Sequence, residues 1–491
     1  MPLKSTCLVL LTALCLAGCA NLRPSTELPA PVKLALDRAG LPSTALGVVA
    51  FPLAQRERGL RSNPAQAMQP ASTLKLLTTV VALDRLGANA RGRTDLLADA
   101  AQAGDVLPGP LYLRGGGDTD LDWGALNTLL RSLRDQGVRE IQGGLVVDRS
   151  LFRPARLDLG QAPFDEAPEF QYNVIPDALQ LNTNLLGYVI ESDGTQISAR
   201  ADPAWPGILL DTRALTLSDK ACADWDEDWR IPLVQPSPQQ QAPSQADGAL
   251  TVLLQGAFPR HCRQQPQLNL LDRQWLTARA VRQIWRELGG VIGPGEREAA
   301  TPAAARVLAS HFGRPLGEVL RGMMKRSDNP LTRLVYLRLG AADAAHQAAP
   351  DEMTLAASDR VVRQWLAERQ IDASGLVLEN GSGLSRLERI TPAQLAAVLA
   401  TAWDGRQAPE LLNTLPVAGV DGTLSRRLKT LAPGQARLKT GTLRDVMAIA
   451  GYVVDAQQRP WVLVALLNHP EASAQGRPAL DALVEWVAAQ P

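Results

Sequence analysis

The placing of its apolar runs constrains this chain most. Residues 446–454 and 461–467 are continuous apolar stretches of strand length, and a third such run lies near the other end at 45–51. Helical periodicity fills much of the interval: 275–288, 303–311, 315–325, 330–339, 354–368 and 391–404. Further helices are expected at 31–41, ending at Gly40, and at 477–489. Strands at both ends with helices between them imply that the first and last pieces of the chain pair in a single sheet. From about residue 95 to 275 the texture changes to short apolar runs broken by glycine and proline, with clear helical character only at 123–136. That stretch reads as a mainly β insertion forming its own lobe. The expected organisation is therefore α+β and multidomain: 31–95 and 276–491 form one domain, and 96–275 is inserted into it. A chain of 491 residues exceeds what one hydrophobic core supports, which agrees with this division.

The first 18 residues read as a signal peptide, with Lys4 in a short charged region and an apolar run from Cys7 to Leu16 too short to span a bilayer. Leu16-Ala17-Gly18-Cys19 resembles a bacterial lipobox, in which Cys19 would be lipidated and become the new N-terminus. Cleavage after Ala20 is the rival reading. Ala20 following the cysteine would direct a lipoprotein to the outer membrane, with 19–30 as lipidated end and tether and the lipid as its one membrane contact. Once the leader is removed, Cys222 and Cys262 remain as a pair; in an oxidising compartment a disulfide is the default, with two buried thiols the alternative. His261, His311, His346 and His469 are scattered without ligand spacing, so no metal site is expected. The charges balance at 50 basic and 50 acidic residues, and no basic stripe points to nucleic acid. Gly115-Gly116-Gly117-Asp118 lacks a following Gly-Lys-Ser/Thr and reads as a tight turn rather than a phosphate loop. Gln235 to Pro243 is low-complexity and reads as a surface loop.

The chemistry gathers at Pro70-Ala71-Ser72-Thr73-Leu74-Lys75. Ser72 and Lys75 stand at i and i+3 at the start of a helix expected to run to Leu86-Gly87, so their side chains share a face. A serine hydroxyl needs a neighbour to take its proton, and a lysine serves when burial or nearby positive charge lowers its pKa. Alone, the pattern more often marks an ordinary buried helix with a solvated lysine, because S-x-x-K occurs by chance in many chains. Two more motifs follow in order: Ser327-Asp328-Asn329 in a loop between helices, and Lys439-Thr440-Gly441-Thr442 just before the 446–454 strand.

S-x-x-K, S-D-N and K-T-G in this order are the signature of penicillin-binding proteins and serine β-lactamases. Ser327 follows Ser72 by 255 residues, far beyond β-lactamase spacing. With its long insertion at that point, the chain resembles the class C D-Ala-D-Ala carboxypeptidase/endopeptidases of the penicillin-binding protein 4 type. The same likeness extends through Gly116-Gly117-Asp118, Ala178 to Asn184, Gly381 to Arg386, Leu415 to Gly419, Asp421 to Leu424, and Lys439 to Leu443 with Gly451-Tyr452. It implies a transpeptidase-type domain, an antiparallel sheet flanked by helices with an all-α part, carrying the insertion between the first two motifs. It also implies acyl-enzyme hydrolysis of peptidoglycan stem peptides or cross-links, acylation by β-lactams, and no cofactor.

By the same resemblance Ser72 is the nucleophile, Lys75 its general base, Ser327 a proton relay to the leaving amine, and Asn329 a holder of Lys75 and the substrate amide. Lys439 anchors the terminal carboxylate, with Thr440, Gly441 and Thr442 lining the substrate, and the N–H groups of Ser72 and Thr442 form an oxyanion hole. Gly441 is expected to be glycine because a side chain would obstruct substrate on the strand. Two positions depart from the family: Asn380 replaces the usual acid before Gly-Ser-Gly, and Pro330-Leu331-Thr332-Arg333 follows Ser-Asp-Asn where Ala-Glu is usual. A cell-wall-binding scaffold lipoprotein of the same fold is the main alternative, although such homologues tend to lose the serine or a lysine. A β-lactamase or esterase would need a deacylating carboxylate for which no motif stands out.

Overall fold

The computed structural model describes residues 24–205, 207–236 and 249–491. The signal peptide, Cys19 and most of the low-complexity stretch from Gln235 to Pro243 lie outside the described residues. Two compact units divide the chain. The first holds the described residues up to Ala88 together with Leu320–Asp328 and Asp359–Pro491; the second holds Asn89–Val319 and Asn329–Ser358.

In the first unit five antiparallel strands form one sheet, in the order Ala436–Leu443, Val446–Val454, Pro460–Asn468, Leu46–Pro52, Leu60–Ser62. The N-terminal strand lies directly beside the last one, with Val49 opposite Val464. Both faces of the central strands are buried, which is why they read as unbroken apolar runs. Alternation sorts their side chains. Leu46, Val48, Ile449 and Leu463 pack with Val32 and Leu36 of the Ala30–Arg38 helix and with Leu480, Leu483 and Val487 of the Arg477–Ala488 helix. In the strand Ala436–Leu443, Ala436 and Leu438 join that layer, so Lys439 and Gly441 fall on alternate positions and face the other way. Ser25 and Leu28, assigned above to a tether, are held in place: Ser25 exchanges backbone bonds with Gly59 and Arg61, and Leu28 is buried in the same core.

The second unit is built on a five-stranded mixed sheet in the order Glu296–Glu298, Leu145–Asp148, Leu111–Gly116, Arg93–Ala98, Arg306–Phe312. The helices Trp123–Asp135 and Arg273–Glu287 supply Leu126, Leu130, Leu133, Val281 and Trp285 to its core. Smaller sheets complete it, one of them made of Ile208–Ser218, Leu250–Pro259 and Trp229–Pro236. Cys222 and Cys262 are bonded across this region, their Cα atoms 5.3 Å apart.

Further expectations change. Residues 303–311, read as a helix, lie largely in the strand Arg306–Phe312, which pairs antiparallel with Arg93–Ala98. Its side chains are mostly exposed, so no apolar alternation marked it, and backbone pairing with a buried neighbour overrode the helical preference of its alanines. The glycines at 115 and 116 belong to a strand, and the turn is confined to Gly117, at φ +69°. A Cβ on Gly115 would sit 2.4 Å from the carbonyl oxygen of Ala178, so close backbone approach rather than turning explains that residue. The second unit also runs past 275, because the strands 296–298 and 306–312 complete its sheet.

Candidate active site

Ser72 lies in a single 3-10 turn, Ala71–Leu74, and the α-helix Lys75–Arg85 begins directly after it. The sequence pattern placed both residues on one α-helix; the tighter turn brings i and i+3 into still closer register. Lys75 Nζ donates to Ser72 Oγ at 2.9 Å. The lysine is fully buried, whereas Ser72 is half-buried and reachable. From Lys75 to Leu83 every helical residue is buried, so the lysine is set into a helix packed on all sides. Its Nζ also donates to the carbonyl oxygen of Ser382.

The turn before Ser72 is gripped from two sides. A Cβ on Gly441 would lie 2.9 Å from the carbonyl oxygen of Pro70 and 3.0 Å from the amide nitrogen of Ser72. A Cβ on Gly383 would fall 1.9 Å from the carbonyl oxygen of Ala71. Gly441 is therefore needed first for contact with the turn that carries Ser72, a reason the motif alone did not disclose. Between the two glycines Ala71 takes a left-handed φ of +45°, a conformation costing of order 1–3 kcal/mol for a residue with a Cβ.

Ser327 is a second strained residue. It follows the helix Leu316–Arg326 with φ +59°; its N–H reaches the carbonyl of Met324, and the N–H of Asp328 reaches that of Met323. This is the helix stop in which glycine is usual at the left-handed position. Here a serine occupies it, and its Oγ accepts from Lys439 Nζ at 2.8 Å. Lys325 fixes the same helix end through Asp421, at 2.6 Å. Burial opposes ionisation of Asp421, but Lys325 and the N–H of Val417 outweigh it and hold the carboxyl below its usual range.

Lys439 is fully buried on the edge strand, with the Ser327 hydroxyl and its neighbour's carbonyl, Thr440 O at 2.6 Å, as partners. Burial pushes its pKa down to about 7. Thr440 Oγ1 meets Thr423 Oγ1 at 2.8 Å, and Thr442 is exposed. Asn329 opens the helix Asn329–Ala341 in the second unit, is buried, and donates from Nδ2 to the Tyr172 carbonyl at 3.3 Å. The first unit thus assembles two hydroxyl–amine pairs, Ser72–Lys75 and Ser327–Lys439. Among the described residues no cluster of histidine, cysteine or carboxylate side chains could hold a metal.

Sequence reasoning missed Glu388. Buried in the first unit, its carboxylate accepts from the backbone N–H groups of Glu379, Asn380, Gly381 and Gly383 at 2.8–3.2 Å. A lone glutamate seven residues beyond Gly381, followed by the buried Ile390, carries no motif; only its closeness to Gly-Ser-Gly could have drawn attention to it.

Residues 31–490 match the D-Ala-D-Ala carboxypeptidase 3 (S13) family. The chain belongs to this family. It is a serine-type peptidase by that membership, and the relatives agree. A D-alanyl-D-alanine carboxypeptidase of Actinomadura sp. (strain R39) is 29% identical over 451 residues, covering 87% of this chain and 78% of that protein. The D-alanyl-D-alanine carboxypeptidase DacB of Haemophilus influenzae is 26% identical over 430 residues, 86% and 85% of the two chains. In fold, the crystal structure of penicillin binding protein 4 (dacB) from H. influenzae aligns with a TM-score of 0.73 at 22% identity, over 94% of this chain and 99% of that one. That alignment bears out the α+β fold expected from the strand pattern.

Proposed function

We propose that Ser72, Lys75, Ser327, Asn329 and Lys439 carry out D-Ala-D-Ala hydrolysis on peptidoglycan stem peptides or cross-links. The observation that carries this reading is the 2.9 Å bond between the reachable Ser72 hydroxyl and the fully buried Lys75 amine. Ser72 Oγ attacks the carbonyl between the two D-alanines and gives its proton to the neutral Lys75 amine. The C–N bond then breaks, and the departing amine takes a proton by way of Ser327. Water cleaves the resulting ester and restores the serine. The N–H groups of Ser72 and Thr442 receive the developing oxyanion, each such donor being worth about 3 kcal/mol of barrier. Lys439 binds the substrate's terminal carboxylate, whose negative charge restores a full ammonium to a group poised at about 7. Ala436–Leu443 is an edge strand, so an extended peptide can add to it through backbone bonds, with Thr440, Gly441 and Thr442 beneath. β-Lactams acylate the same serine.

Within this reading the enzyme is periplasmic and held at the outer membrane through lipid on Cys19. The direct test supplies a stem pentapeptide and a cross-linked dimer to the protein and to Ser72→Ala. Release of D-alanine or cleavage of the dimer, lost in the variant, supports the assignment and tells carboxypeptidase from endopeptidase. Activity that persists in Ser72→Ala contradicts it, and no activity in either protein favours a scaffold that keeps the fold.

A further inference from the structure

Glu388 has no part in the family chemistry above, yet it is among the most heavily bonded carboxylates of the first unit. Its two oxygens are used unequally. Oε1 accepts from three N–H groups, those of Glu379, Asn380 and Gly381, and Oε2 from the N–H of Gly383 at 2.9 Å. That last N–H belongs to the same peptide unit whose carbonyl, on Ser382, accepts from Lys75. One flat amide is thus bonded at both ends, to a carboxylate on one side and the lysine amine on the other. A carboxylate at the N–H end draws electron density toward the carbonyl oxygen and makes it a stronger acceptor.

The rest of the loop is held in the same way. Thr78, one turn along the helix from Lys75, donates to the Gly381 carbonyl at 2.7 Å. Gly383 abuts the backbone of Ala71 and Ser72. Ser385 Oγ accepts from the Glu388 N–H at 3.0 Å and fixes the glutamate's own backbone. Asn380, standing where the family usually has an acid, accepts from the Ser382 N–H at 3.0 Å and donates to the Leu384 carbonyl at 3.1 Å.

We propose that Glu388 is a positioning residue for Lys75, acting through the Ser382–Gly383 peptide, and that it supplies the buried negative charge which Asn380 does not. The inference rests on Lys75 being the base. The charged groups on the surrounding elements are Glu379 on the loop, Arg386 and Arg389 on the Glu388 segment, Asp84 at the far end of the Lys75 helix, and Lys439 on the edge strand. Burial outweighs the four backbone donors and pushes the Glu388 carboxyl above its usual range, while those donors, all aimed at its oxygens, favour the ionised form.

Glu388→Gln is the informative change, since its one oxygen can satisfy the three-donor side while its NH2 then opposes the Gly383 N–H. Acylation of the full mature chain by a chromogenic cephalosporin, followed from about pH 5 to 9, reads the effect beside the thermal midpoint. The expected result is a plateau rate lower by about tenfold, with the acid limb of the profile moved about half a unit or more to lower pH, because the Lys75 ammonium loses part of its support. Glu388→Asp keeps the charge and should leave the limb in place while lowering the plateau; it serves equally if the glutamine variant fails to fold. A folded Glu388→Gln protein whose limb coincides with wild type, or a limb that moves in Glu388→Asp, overturns the inference. Wild-type acylation that occurs without any acid limb removes the base role of Lys75 and this inference with it, a distinguishable failure.

Discussion

Arg149 in the second unit and Lys439 in the first are both buried, and the two are treated in opposite ways. In the second unit Arg149 is saturated: Asp177 at 3.2 Å, Glu298 at 2.9 Å, Gln274 at 2.7 Å, Thr277 at 3.2 Å and the Arg273 carbonyl at 3.3 Å surround its guanidinium. In the first unit Lys439 has a hydroxyl and a carbonyl, and among the described residues no carboxylate bridges to it. Arginine with its rigid fork suits a closed network, whereas a buried lysine shifts its pKa readily. The saturated cation holds structure together; the under-supplied one is left ready for an anion from outside. A buried charge thus becomes evidence of function only when its partners are counted.

Substitutions can break this contrast. Arg149→Met should cost the most stability, about 3 kcal/mol, by breaking a buried network in which Asp177 would keep Arg273 and Glu298 would keep Arg156. Denaturant unfolding measures it, and the protein that remains folded should acylate at the wild-type rate. Lys439→Met should do the reverse. Its thermal midpoint should stay the same or rise, while kcat/KM for a peptide ending in a free carboxylate falls about 10²–10³-fold. A smaller loss for the same peptide amidated at its C-terminus would confirm that the missing partner is the substrate's carboxylate. Gly383→Ala places a Cβ against Ala71 at a left-handed φ, and should lower both stability, by about 1–3 kcal/mol, and acylation. A neutral outcome would show that the turn before Ser72 is less constrained than its contacts imply.

The gentlest probe is pH. The folded pKa of Lys439, about 7, is depressed by burial from the ordinary lysine value of 10.5. Between these values the unfolded chain binds the extra proton, so folding stability rises with pH across that window and is lost as pH falls toward 7. Lys439→Met should flatten that slope, whereas Arg149→Met should leave it unchanged. Binding of a carboxylate-ended substrate has the opposite sign and should weaken, up to about tenfold per unit, as pH climbs above 7 in the free enzyme.

Much of this was legible in the chain. The strands Val446–Val454 and Pro460–Asn468 are buried on both faces and so announce themselves as apolar runs. Ser72 and Lys75 stood out because a serine hydroxyl needs a base and i, i+3 spacing supplies one on the same face, whereas Ser327 and Lys439 stood out through the resemblance of their motifs to a family signature. Arg306–Phe312 was misread because an exposed strand carries no burial signal. Glu388 escaped because its partners are backbone N–H groups, which have no sequence identity. The second role of Gly441 escaped for a related reason: its neighbours, Pro70 to Ser72, lie some 370 residues away in the chain and only the fold brings them close.

The central claim, that Lys75 activates Ser72, is tested most directly by site-resolved mass spectrometry of the penicillin-treated protein. Trypsin releases Ser62 to Lys75 as one peptide, and fragmentation separates an adduct on Ser72 from one on Ser62 or Thr73. The account predicts one penicilloyl group per chain, on Ser72, nearly absent when Lys75→Ala is treated for the same time. An adduct on another residue, or one forming equally fast in Lys75→Ala, would contradict it.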